Sequence, residues 1–169
     1  MPLAAVVTTN EIANAFEATG VEYFNTFAGS PVCTAAGLSM LHVLSNENLQ
    51  ENAMKVGSYI VKLLGELQSK CELIGDVRGS GLFLGVELVR DKTLEPATAE
   101  TSFICSILKD KYKILTSIDG PHDNVIVIKP PMVFSKEDAL LFVSSLEKAL
   151  LEDLPSSKDH LKELDKTPT

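Results

Sequence analysis

Between residues 73 and 89 two β-type runs are parted by glycines. Leu73-Ile74-Gly75-Asp76-Val77-Arg78 leads into Gly79-Ser80-Gly81, and Leu82-Phe83-Leu84-Gly85-Val86-Glu87-Leu88-Val89 follows. Glycine accepts backbone conformations closed to other residues, so a strand can turn sharply here and pack beneath another backbone. The same order argues against a dinucleotide-binding loop, which needs a helix after its glycines to meet the pyrophosphate. Residues 97–111 then read as a helix, with Ile104, Ile107 and Leu108 inward. Residues 113–117 read as a short strand, and Pro121-His122-Asp123-Asn124 as a turn. Val125 to Ile128 is an apolar strand halted by Pro130-Pro131. Ser135 caps a last helix in which Ala139, Phe142, Val143, Leu146 and Leu150 keep the 3.6 period. The order β-β-α-β-β-α predicts an α+β layer, a small sheet with helices on one face.

Ahead of this layer, Leu49, Ala53, Val56, Ile60, Leu63, Leu64 and Leu67 form one apolar stripe, which predicts a helix over 46–69. A helix over about 31–45 starts at Pro31, behind Ser30, and is rich in small residues. Thr9 offers a cap for a short amphipathic helix carrying Ile12, Ala13, Ala15 and Phe16, which Gly20 ends; residues 21–30 read as a loop. Residues 3–8, Leu-Ala-Ala-Val-Val-Thr, are an apolar run of strand length without a preceding element. That run suits either an edge strand or a place in a different sheet. From Glu152 onward the chain is charged and is expected to be a mobile tail.

Composition removes several function classes. With 45% hydrophobic residues the chain can bury a core, and it has no run of the roughly 18 apolar residues a membrane span needs. A net charge of −8 suits a phosphate backbone poorly, so nucleic acid is not an expected partner, nor is a membrane. Cys33, Cys71 and Cys105 are odd in number and far apart, which fits free thiols. His42, His122 and His160 share no ligand spacing with them, so no metal site is expected. Arg78 has two readings: a carboxylate or phosphate binder, or a structural partner of Asp76, with the structural reading favoured.

The segment Tyr23-Phe24-Asn25-Thr26-Phe27-Ala28-Gly29-Ser30-Pro31 resembles a loop of the class III aminotransferases, fold type I enzymes that use pyridoxal 5′-phosphate. The order of the remaining motifs agrees. Pro2-Leu3-Ala4-Ala5-Val6 resembles the stretch after the family's lysine turn, and Glu47-Asn48-Leu49 the opening of its long helix. Gly75-Asp76-Val77-Arg78-Gly79-Ser80-Gly81-Leu82-Phe83 resembles a further signature, and Lys129-Pro130-Pro131 the late proline pair. Residues 15–27 are most similar to the phospho-lyase branch, which acts on phosphoethanolamine or 5-phosphohydroxylysine; the alanine–glyoxylate type is near by.

The resemblance implies an active-site lysine holding the cofactor as a Schiff base, a small-molecule amine substrate, and a homodimer. It also implies that Thr26 binds the cofactor phosphate, reaching across from the neighbouring subunit; a hydroxyl in a glycine-flanked loop before a helix start suits that task. Two departures qualify it. The family's lysine would lie before Met1, and none of the chain's lysines stands in that context, so no catalytic residue is assigned. The late-strand arginine that grips a substrate carboxylate corresponds to Val127. The expectation is therefore a fragment of a phospho-lyase or transaminase, inactive alone. In it, residues 1–45 end the large cofactor-binding domain and supply an interdomain helix, 46–151 form the small domain, and 152–169 the tail. The alternative is a non-catalytic module that pairs with a full-length relative. Mitochondrion and cytosol both stay open, because a targeting peptide would belong to the upstream part.

Overall fold

The structure is a computed structural model and describes residues 2–26, 28–90 and 94–156. The chain divides into two units, residues 1–48 and residues 49–169.

The first unit contains α1 (Asn10–Glu17) and α2 (Pro31–Asn46). Thr9 caps α1, its hydroxyl oxygen accepting a 3.5 Å hydrogen bond from the Ile12 N–H. Residues 2–9 are not in a strand, against the expectation for 3–8. A strand exists by sharing its N–H and C=O groups with a neighbour, and the apolar character of Val6 and Val7 does not replace one. Leu3 instead lies against α2, its side chain occupying the space a Cβ on Gly37 would take. No described residue of this unit is buried.

The second unit carries its own core. Its strands are β1 (Ile74–Ser80), β2 (Phe83–Arg90), β3 (Glu95–Pro96), β4 (Ser117–Asp119) and β5 (Val125–Ile128). They pair antiparallel in the order β1-β2-β5-β4, with β3 on the end of β2. The glycine turn expected from sequence joins β1 to β2: Gly79 (φ 133°) and Gly81 (φ 55°) take conformations that side chains resist. Period-2 alternation then sorts the sheet's two faces. Leu84, Val86 and Leu88 of β2 and Ile126 and Ile128 of β5 join the core. Against them pack α3 (Leu49–Gln68), α4 (Thr98–Asp110) and α5 (Lys136–Lys148), through residues such as Ile60, Leu64, Ile104, Leu108, Phe142 and Leu146. Each such side chain contributes about 1.5–3 kcal/mol on burial.

Three boundaries differ from those expected. Asn48, at φ 52°, breaks the chain between α2 and α3, so the long helix begins at Leu49 rather than 46. The strand expected at 113–117 is displaced to Ser117–Asp119, because ladder pairing with β5 starts at Ser117 opposite Val127. Upstream of it, Lys113 is at φ 60° and the Thr116 hydroxyl is 3.3 Å from Cys105 Sγ. The charged end is not all tail: α5 continues through a π-helical turn, Ala149–Asp153, into a short helical turn, Leu154–Ser156. Residues 157–169, including His160, lie outside the described residues. Ser135 caps α5 as expected, in a reciprocal box with Asp138.

Candidate functional site

Thr26 sits in a turn of the loop between α1 and α2 and is exposed. Its neighbour Phe27 lies outside the described residues. The turn is closed by the Ala28 N–H, which donates to the Asn25 carbonyl at 3.0 Å. Gly29, at φ 71°, then redirects the chain into Ser30 and the helix start at Pro31. The Ser30 hydroxyl makes no capping hydrogen bond, and the first turn of α2 holds no acidic residue. A helix start leaves its first amides without intrahelical partners and carries partial positive charge. The loop thus brings a threonine hydroxyl, a serine hydroxyl and the amide end of a 16-residue helix into one short stretch of chain. That donor set fits a phosphate monoester. It does not fit an aldehyde awaiting an amine, because residues 1–48 contain neither lysine nor arginine.

In the second unit, Val127 lies on the sheet face opposite the core residues Ile126 and Ile128. It pairs with Gly85 on β2 and Ser117 on β4, and Gly85 pairs with Arg78 on β1. The row Arg78–Gly85–Val127–Ser117 therefore crosses the sheet. Val127 is 8% exposed. An isopropyl group there offers no partner to a carboxylate.

Arg78 does not fill that role. Its Nη1 donates to Asp76 Oδ2 at 2.8 Å and to Glu87, which β1–β2 pairing places opposite Asp76. Asn124 Nδ2 donates to Glu87 Oε1 at 3.4 Å and to the Leu88 carbonyl at 2.9 Å. The hydrogen bonds Arg78 donates to Asp76 and Glu87 raise the already high pKa of the guanidinium. The structural reading of Arg78 is the one realised.

Asn52 was not distinguishable from sequence. It lies on the polar flank of α3, and its Nδ2 donates to the carbonyls of Met132 (2.8 Å) and Phe134 (3.1 Å). It thereby pins the turn that follows β5. An asparagine in a helix is no signal by itself, and its two acceptors are 80 and 82 residues away. Cys71 and Cys105 are free thiols whose pKa burial pushes up. Among the described residues no group of His, Cys, Asp and Glu could hold a metal ion, and no helix is long and apolar enough to cross a membrane.

The class-III aminotransferase family model matches residues 1–150. Over 150 residues the chain is 49% identical to alanine–glyoxylate aminotransferase 2 homolog 2, mitochondrial, of Arabidopsis thaliana, covering 88% of this chain and 31% of that protein. It is 42% identical over 150 residues to ethanolamine-phosphate phospho-lyase homolog 1 of Caenorhabditis elegans, covering 88% of this chain and 32% of that protein. Among solved structures, a phospholyase from Arthrobacter in complex with phosphoethanolamine superposes with a TM-score of 0.79 at 38% identity, over 86% of this chain and 34% of that one. The chain thus spans 31–32% of the length of these two curated relatives.

Proposed function

The chain belongs to the class III aminotransferases, the pyridoxal phosphate enzymes of fold type I, and on that premise we propose that it supplies two parts of a phospho-lyase or transaminase. One is the Thr26 loop, which holds the cofactor phosphate. The other is the small C-terminal domain. Residues 1–45 are the end of the large domain with an interdomain helix, and residues 46–151 the small domain. The substrate is a phosphoethanolamine-like amine, and the assembled enzyme is a homodimer.

When bound, the cofactor supplies an electron sink for the carbon that bears the substrate amine. The residues of this chain position rather than react. The Thr26 hydroxyl donates to a phosphate oxygen, and the amides opening α2 face the same charge. Val127 adds no positive charge of its own at its place in the sheet. Val127 is the observation that carries the substrate class, because an amine lacking a carboxylate has no use for an arginine there. The similarity to a phospho-lyase homolog and to a phosphoethanolamine-bound phospholyase supports the same reading.

The test is to co-express the chain with the part of the Caenorhabditis elegans relative outside its matched residues. Phosphate and ammonia released from phosphoethanolamine are expected, and none from the chain alone. Amino transfer to a keto acid without phosphate release would overturn the lyase reading. A second reading, a non-catalytic module that pairs with a full-length relative, draws on the complete core of residues 49–156. It requires co-elution with an intact relative that leaves the relative's turnover per subunit unchanged.

A further inference from the structure

Asp119 is followed by Gly120, and no other Asp or Asn of the chain precedes a glycine. The pair ends β4 and opens the turn to β5. The Gly120 N–H donates to Asp119 Oδ1 at 2.7 Å, so the amide nitrogen sits beside the carboxyl carbon of the preceding side chain. Joining nitrogen and carboxyl carbon closes a five-membered ring through Asp119 C, Cα and Cβ. Holding the reacting groups in contact supplies much of what such a closure needs. Gly120 has no side chain to crowd the approach. Asp119 is exposed, so water reaches the ring.

The turn cannot escape this pairing by exchanging its glycine. Gly120 is at φ 96°, and a Cβ there would stand 3.1 Å from Val125 Cγ2. Beyond the turn the chain is firmly held. Asn124, 2% exposed, donates through Nδ2 to the Leu88 carbonyl at 2.9 Å, and its own carbonyl accepts from the Leu88 N–H at 2.8 Å. β4 is the weaker side. It has three residues at the sheet edge, laddered to β5, with Asp119 opposite Val125 as the last rung.

We propose that Asp119 is a self-modification site, at which the folded chain cyclises to a succinimide and reopens as isoaspartate. The Gly120 nitrogen attacks Cγ of the protonated Asp119 carboxyl. The N–Cγ bond forms, a Cγ–O bond breaks, and the hydroxyl leaves with the amide proton as water. A water molecule then adds at the Asp119 main-chain carbonyl carbon and breaks its bond to nitrogen. The chain now runs through Cγ, and a carboxylate hangs from Cα. Nothing is oxidised or reduced. The backbone is longer by one C–C bond, about 1.5 Å. Because the Asn124 side is held, the extra length displaces β4, and Ser117 leaves its place opposite Val127. The modification therefore loosens the sheet edge at the end of the row Arg78–Gly85–Val127–Ser117. It does not depend on the reading of substrate or cofactor.

The experiment ages the full chain at neutral pH in heavy-oxygen water and digests it in ordinary water. Electron-transfer fragmentation of the peptides then separates isoaspartate from aspartate. Asp119 is expected to take up label and isomerise about tenfold or more faster than Asp110 or Asp123. Its rate in the folded chain is expected to be no slower than in the same chain unfolded in urea. Asp119→Asn, which loses ammonia in place of water, is expected to react faster still. Asp119→Glu, whose carboxyl lies one carbon further away, is expected to stay unmodified. The isomerised chain, separated from its parent by ion exchange, is expected to lose amide protection at residues 117–119 and keep it in α3. Label at Asp119 no greater than at Asp110 and Asp123 overturns the proposal, because the contact is then unreactive. Faster reaction in urea also overturns it, because the fold then guards the site instead of priming it. Isoaspartate in a β4 that keeps its protection overturns the displacement.

Discussion

Gly57 on α3 and Gly81 in the β1–β2 turn are in direct backbone contact: a Cβ on Gly57 would collide with the Gly81 carbonyl oxygen. Gly65 lies two turns further along the same helix and faces open space. The same substitution at the two positions should therefore have opposite effects. Gly65→Ala should stabilise by about 0.5–1 kcal/mol through helix propensity alone. Gly57→Ala should destabilise by about 1–3 kcal/mol, because backbone rather than a flexible side-chain end must yield. Urea unfolding followed by far-UV circular dichroism checks both.

Asp153, at the end of the π-helical turn, is held by Lys111 Nζ at 2.7 Å and the Tyr112 hydroxyl at 2.9 Å. Its pKa is lowered from the ordinary 3.8, first by the Lys111 hydrogen bond. A carboxyl depressed in the folded state adds stability that is fully present above the unfolded value and is lost as pH falls through the folded one. The Asp153 contact should therefore hold at neutral pH and release below 3.8. Asp153→Asn should flatten the acid limb of the stability curve without altering its shape near pH 7, read from thermal unfolding across pH.

Thr26→Val, in the assembled enzyme, should lower cofactor affinity about ten- to a hundredfold, the value of one hydrogen bond to a charged phosphate. Thr26→Ser should restore most of it. Cofactor fluorescence during dilution measures retention. Equal retention in all three proteins would remove Thr26 from the site.

Val127→Arg should shift the assembled enzyme toward carboxylate-bearing substrates. A charge-assisted pair of about 1.5–3 kcal/mol predicts at least about a tenfold gain in kcat/KM for such amines. Val127→Met controls for volume and should show no gain. Steady-state kinetics on one carboxylated and one uncarboxylated amine separates the two outcomes.

Much of this protein is set by local pattern. The apolar stripe of α3, the Ser135 cap and the uninterrupted Val125–Ile128 run each place an element through period, cap or burial, which neighbours in sequence suffice to express. The proposal for Thr26 rests on a contiguous motif in its loop, which sequence alone displays. Other features needed the assembled chain. Residues 3–8 have strand character without a ladder, since the hydrogen bonds of a strand belong to a partner. β4 begins at Ser117 because β5 sets its register. Arg78 is bound to Asp76, two residues away, but also to Glu87, nine residues away across the turn, and only folding brings that second carboxylate alongside. Asn52 reaches carbonyls some 80 residues on. Period and capping act within a few residues, whereas ladders, ion pairs and close backbone approaches act between segments, and those exist only once the core has placed them.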